Sequence, residues 1–170
     1  MKRIYTLFVV ALFAIVTCAQ HNATYTSQEL GISFTYDTDI FYKVAPQAKN
    51  TVLKLESSSY MVLVTINVQK NVESVDFSDK SFLQEMANMK KTMPHISKVL
   101  QPMKTYRYGK YIGAKDIAVI TGKSQYDMVD NSYYFCHRNN LVTITFETFE
   151  INYNEYPEYS ENFIVGLKLF

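Results

Sequence analysis

The stretch Asn140-Leu141-Val142-Thr143-Ile144-Thr145-Phe146-Glu147-Thr148-Phe149-Glu150 decides the fold class. Val142, Ile144 and Phe146 alternate with Thr143, Thr145 and Glu147. That period of two, in β-branched and aromatic residues, predicts a strand with one apolar face. Burying those three side chains is worth about 1.5–3 kcal/mol each before the entropy of ordering is counted. A strand of this kind needs paired neighbours and a covering layer.

Upstream, Tyr60 to Gln69 predicts a second strong strand. Val62, Val64, Ile66 and Val68 line one face, while Met61 and Leu63 make the start of the other face apolar as well. A strand apolar on both sides requires cover on both sides. Working outward, Gly31 to Tyr36, Phe41 to Val44 and Val52 to Glu56 read as shorter strands, and Tyr25-Thr26 as the start of an edge strand. A helix is predicted from about Asp79 to Thr92, with Ser78 as N-cap and Pro94 beyond its end. Phe82, Met86, Met89 and Met93 form its apolar stripe.

Beyond the helix, Ile96 to Leu100 and Lys104 to Tyr108 are strand candidates on either side of Pro102. Gly109-Lys110 turns into a long strand from Tyr111 to about Tyr126, with Gly113 and Gly122 as points of bulge or close backbone approach. Asp127 to Asn131 reads as a turn and Ser132 to Arg138 as an aromatic strand. Asn139-Asn140 is the expected hairpin turn. A closing helix follows, with Asn154 as cap, Pro157 in its first turn and Gly166 at its end.

The first twenty residues read as a targeting segment. Lys2 and Arg3 precede an apolar run from Ile4 to Val16. Thr17-Cys18-Ala19 then offers small residues where a signal peptidase cuts, leaving Gln20 first. The run is shorter than a membrane span needs. Residues 1–19 are therefore a signal peptide and 20–170 a single domain, exported to the periplasm or secreted, with no transmembrane span after cleavage. The rival reading takes Ile15 to Cys18 as a lipobox with Cys18 as the lipidated residue. Thr17 departs from the small residue usual before that cysteine.

Without Lys2 and Arg3, the 17 basic residues of the chain become 15 against 16 acidic. A near-neutral balance gives no electrostatic ground for nucleic acid or an anionic membrane as partner. After cleavage Cys136 has no second cysteine to pair with, and is expected to pack as a small apolar residue.

The order of strands, one helix, a long antiparallel meander and a closing helix resembles the PsbP-like superfamily, which includes DcrB-type envelope lipoproteins and a fungal Ran-binding protein. Gly31-Ile32-Ser33-Phe34-Thr35-Tyr36 is similar to the first strand of that group, with Asp37 where Pro is frequent. Phe163-Ile164-Val165-Gly166-Leu167 resembles its final helix and tail. The resemblance implies an α+β domain: an α/β/α sandwich with a central antiparallel sheet covered by helices on both faces. It further implies a non-enzymatic interaction protein, and it carries over no functional residue.

Chemistry-bearing motifs are absent from the sequence. His21, His95 and His137 are not in metal-ligand spacing, and Cys136 and His137 point to opposite faces of a strand. No nucleophile elbow, phosphate loop or dinucleotide fingerprint occurs. Glu147 and Glu150 face opposite ways, and Asp127 and Asp130 are expected to cap their own turn. No cofactor, metal or catalytic residue is therefore assigned.

Charge is unevenly placed. Lys80 to Lys123 holds nine basic and two acidic residues, whereas Glu147 to Glu161 holds five acids and no base. Lys104, Tyr106, Arg107, Tyr108, Lys110 and Tyr111 are the candidate partner-binding surface. The competing reading is a solvated strand whose lysines blunt an exposed edge. The expected function is binding of a protein or envelope component by a monomer. The alternatives are a small-ligand or sugar binder using the tyrosine-rich face, and a hydrolase that gathers His95 or His137 with distant carboxylates.

Overall fold

A computed structural model describes residues 21–57, 61–121, 125–155, 160–161, 164 and 166–170. The expected signal segment, with Cys18, and Gly122 lie outside the described residues. The strands are β1 (Asn22–Ser27), β2 (Ile32–Asp37), β3 (Tyr42–Val44), β4 (Thr51–Ser57), β5 (Val62–Lys70), β6 (Ile96–Tyr108), β7 (Tyr111–Ile120), β8 (Met128–His137), β9 (Asn140–Phe149) and β10 (Leu167–Leu169). Helix α1 (Lys80–Lys91) lies between β5 and β6, and a 3-10 helix (Glu150–Glu155) follows β9.

β9 pairs antiparallel with β5 on one side and β8 on the other, in unbroken register. The seven-stranded sheet runs β3-β4-β5-β9-β8-β7-β6, and a second sheet runs β1-β2-β10. Period-two alternation turns Val142, Ile144 and Phe146 to one face, opposite Val68, Ile66 and Val64 on β5. All six are buried, in one cluster with Leu53, Leu55, Tyr133 and Phe135 of the same sheet. Ile32 and Phe34 of β2, Leu167 and Leu169 of β10, and Ile164 join that cluster. The small sheet is therefore the main described cover of this face. On the opposite face α1 buries Leu83 in a second cluster with Phe77 and Ala114, flanked by Cys136 and Leu141.

Helices on both faces were the expectation. α1 meets it on one side. On the other, the layer is the three-stranded sheet, together with the helical residues Ser160, Glu161 and Ile164. The rest of the expected closing helix lies outside the described residues.

Local differences have local causes. Asp79, not Ser78, caps α1: its carboxylate accepts from the N–H of Ser81 at 2.8 Å and of Phe82 at 3.4 Å. Ser78 is held by Asp76. The buried stripe of α1 runs through Leu83 and Ala87, and Met89 is 48% exposed, so the methionines flank the contact. β6 passes through Pro102 as one bulged strand because it is the sheet edge, where a missing N–H costs no ladder bond. The β8–β9 turn is Arg138-Asn139, with φ of 49° and 57°, which leaves Asn140 paired with His137. Asp130 and Asn131, expected in a turn, belong to β8 and pair with Glu147 and Phe146. Gly113 meets the expectation of close approach, since a Cβ there would strike the Tyr134 carbonyl and the Phe135 ring.

Ile144→Ala is expected to lower the unfolding free energy by about 2–5 kcal/mol in urea denaturation. Gln84→Ala, on the exposed side of α1, should stay within about 0.5 kcal/mol. Equal effects would show that β9 is not the centre of the core.

Candidate functional site

The β6–β7 hairpin places the sequence-predicted surface. Its turn is made by Gly109 at φ 56° and Lys110. Tyr106 pairs across the ladder with Gly113, Tyr108 with Tyr111 and Arg107 with Ile112. Alternation therefore puts Tyr106, Tyr108 and Tyr111 on the core side and Arg107 on the other. The three tyrosines are half-buried, and their hydroxyls are engaged within the protein. Tyr106 donates to Glu161 at 3.0 Å, Tyr108 to the Leu167 carbonyl at 2.9 Å and Tyr111 to the Leu169 carbonyl at 2.6 Å. They clamp β10 and the helical residue before it onto the large sheet. Lys104, Arg107 and Lys110 are exposed. The six residues are thus three half-buried tyrosines and three exposed cations, of which Lys104, opposite Lys115 in the ladder, shares the tyrosines' face.

Glu161 is the focus of this clamp. Lys115 pairs with its carboxylate, and the Tyr133 hydroxyl lies 3.0 Å from it. Lys115 also sits 4.8 Å over the Tyr133 ring, a cation–π contact. Beneath, Ser160 Oγ accepts from Asn131 Nδ2 at 2.7 Å. Burial works to raise the Glu161 pKa, but Lys115, Tyr133 and Tyr106 outweigh it and hold the carboxyl below its ordinary 4.5. Burial and the Glu161 charge push the Tyr106 hydroxyl well above the usual phenol range, so it stays a donor.

A second site lies between α1 and the opposite face of the sheet. This groove of about 310 Å³ is walled by Met86, Met93 and Met103 and floored by Asp116, Asp130, Ser132, Tyr134, Thr143 and Thr145. Asp116 is fully buried and pairs with Lys90 of α1, while Tyr134 donates to it at 3.3 Å. Burial raises the Asp116 pKa beyond what Lys90 and Tyr134 pull back. Asp116, the lone acid in the run from Ile112 to Ile120, is the sequence signal for this pair, but nothing in the sequence names Lys90 as its partner. His95 also lines the groove, whereas His137 bonds the Phe170 carbonyl at 3.0 Å and His21 bonds Asp39 at 3.1 Å. Among the described residues no group of three His, Cys, Asp or Glu side chains is placed to hold a metal ion, and no helix is long and apolar enough to cross a membrane.

No family model and no curated protein matches the chain. Solved structures do match it. Cyanobacterial PsbP (CyanoP) from Synechocystis superposes with a TM-score of 0.62 at 10% identity, covering 89% of this chain and 94% of that one. The Ran-binding protein Mog1p of Saccharomyces cerevisiae gives 0.54 at 8% identity, over 89% and 96%. A Bacteroides thetaiotaomicron protein gives 0.56 at 10% identity, over 88% of this chain and 49% of its own. The fold is the PsbP-like fold, as the strand order and the Gly31–Tyr36 opening led one to expect.

Two outcomes test these sites. Lys90→Met should cost about 3–5 kcal/mol, because it strands a buried carboxylate, and adding Asp116→Leu should recover most of the loss in denaturant melts. For Glu161 the folded pKa lies below the unfolded one. Its stabilisation is therefore present above about pH 4.5 and is lost as pH falls through the folded pKa. Glu161→Gln should flatten that limb of a stability–pH profile. Asp116 has the opposite sign, with a contribution present at low pH and lost as pH rises through its folded pKa.

Proposed function

We propose that this chain is an exported, non-enzymatic interaction domain that binds a protein or envelope component through the β6–β7 hairpin. The observation that carries the reading is the division of labour on that hairpin. Tyr106, Tyr108 and Tyr111 are fixed by internal hydrogen bonds, so Lys104, Arg107 and Lys110 are presented from a rigid frame. Ile112, 40% exposed, lies across the ladder from Arg107 and adds an apolar contact beside the charge. An exposed cation beside an exposed apolar residue, with Lys110 at the turn and Lys104 further along the edge strand, suits an acidic protein surface better than a small neutral ligand.

The Saccharomyces cerevisiae structure of this fold is of a Ran-binding protein, which supports binding over catalysis. The sugar-binder alternative loses its platform, since the tyrosines it would use are turned inward. Of the two carboxylates that floor the groove, Asp116 is committed to Lys90 and Tyr134, which counts against the hydrolase alternative. In this reading residues 1–19 are removed as a signal peptide, residues 20–170 act as a monomeric domain, and the product is periplasmic or secreted. Cys18 provides a lipid anchor in the alternative processing.

The test is charge reversal. Lys104→Glu, Arg107→Glu and Lys110→Glu together should leave the circular dichroism spectrum unchanged and abolish capture of the partner from native envelope extract. An unchanged set of captured proteins rejects the hairpin as the surface.

A further inference from the structure

The two sheets have four edges, and three of them are blunted. β6 is broken by register shifts and carries Pro102, Lys98 and Lys104. β3 and β10 are three residues long, with Lys43 and Lys168 on them. These are standard protections against strand addition. β1 differs: it pairs residue for residue with β2 along its whole length, without a bulge, and carries no charge or proline from Asn22 to Ser27. Among the described residues no strand pairs with its outer side.

The direction of its backbone groups follows from its neighbours. The Thr35 N–H donates to Gly166 at 3.1 Å, toward β10 and away from β1. Alternation then turns Phe34 and Tyr36 toward β1, where their register partners are Tyr25 and Ala23. The Thr38 N–H donating to the His21 carbonyl at 2.7 Å continues the same phase. Asn22, Thr24 and Thr26 thus turn both N–H and C=O outward. The side chains agree: Thr24 Oγ1 and Thr35 Oγ1 are 3.0 Å apart, as in a close pair that shares no backbone bond.

We propose that β1 is a second interaction surface, which receives an extended segment of another protein as an added antiparallel strand. The chemistry of that segment is set by the rim. Its centre is uncharged and β-branched, to lie against Thr24 and Thr26. Asp37 is the register partner of Asn22, and Asp39, bonded to His21 but still exposed, lies beside it, so the end of the segment near Asn22 carries a lysine or arginine. A second copy of this chain fits poorly. Two-fold pairing about Thr24 would bring the Asp37 and Asp39 end of one copy toward Glu29 of the other, where the nearby base, Lys70, is already paired with Glu29. Backbone bonds supply the affinity and the basic end the orientation. The surface is separate from the hairpin and does not depend on it.

The probe is the peptide acetyl-Thr-Val-Thr-Val-Thr-Lys-amide, titrated into the folded chain and followed by amide hydrogen exchange in NMR. In the free protein the amides of Asn22, Thr24 and Thr26 should exchange at least about ten-fold faster than those of Ala23, Tyr25 and Ser27. Peptide should slow the outward set by on the order of ten-fold or more, and replacing its lysine by glutamate should weaken binding by about ten-fold. Asp37→Asn with Asp39→Asn should remove the difference between the two peptides. Thr24→Pro, tolerated where the N–H faces solvent, should abolish binding while the inward amides stay protected. The variant with Lys104, Arg107 and Lys110 reversed should bind peptide as the natural chain does, so the two surfaces fail or succeed separately. Outward amides unmoved by peptide up to about 1 mM, or equal binding of the two peptides, would overturn the proposal. Concentration-dependent protection without peptide, with a doubled mass in sedimentation, would overturn it in favour of a second copy.

Discussion

The pairing of β9 on both sides is the constraint the rest of the structure obeys. A strand buried on one face and bonded along both edges cannot slip by a single residue, because a slip would turn Val142, Ile144 and Phe146 out of the core. With β9 fixed, Val64 and Ile66 on β5 and Tyr133 and Phe135 on β8 fall on the same side, and the small sheet has one apolar floor to cover. The opposite side carries Thr143, Thr145 and Glu147. It therefore takes a helix over its β6–β7 flank, where Leu83 clusters with Ala114 and Lys90 pairs with Asp116, and leaves the groove beside it half-wet.

Closure of the second layer depends on polar rather than apolar contacts at its rim. β10 is too short to hold by its ladder to β2 alone. Tyr108 and Tyr111 bond its carbonyls from the far sheet, and Tyr106, Tyr133 and Lys115 converge on Glu161 just before it. Each tyrosine buries its ring and delivers its hydroxyl to a partner, so burial leaves no unsatisfied group. In a chain without tryptophan, Tyr106, Tyr108, Tyr111 and Tyr133 serve as sheet-to-sheet fasteners.

Most of the strands were legible in the sequence, because period-two alternation in β-branched residues has few other meanings. The limits were local and physical. Asp130 and Asn131 look like turn residues in isolation. Asn131 sits in a strand because its amide reaches Ser160, some thirty residues on, and no local pattern encodes such a partner. Pro102 split one strand into two in the reading, since tolerance of proline depends on being at an edge, a property of the assembled sheet. The methionine stripe was assigned to the core, yet α1 buries Leu83 and Ala87. A helix that touches only part of a sheet buries a narrow stripe, here Leu83 and Ala87. The three hairpin cations were visible in the sequence. The inward commitment of the neighbouring tyrosines was not, since it depends on a chain end returning from far away.

The charge segregation of the sequence has a different meaning once folded. Lys90 and Lys115 belong to the basic segment, but both are drawn inside, to Asp116 and Glu161. The Lys115 pair joins the basic segment to the acidic one across the layer boundary, so part of the apparent field is cancelled internally as packing. What reaches solvent on β6 and its hairpin is Lys98, Lys104, Arg107 and Lys110, spread along an edge that also carries the bulges and Pro102. The same cations can repel an incoming strand and attract an acidic side chain, because the first act is on the backbone row and the second on the side-chain tips. Such an edge is blunted against backbone pairing and exposes charged tips, whereas β1 is uncharged and regular.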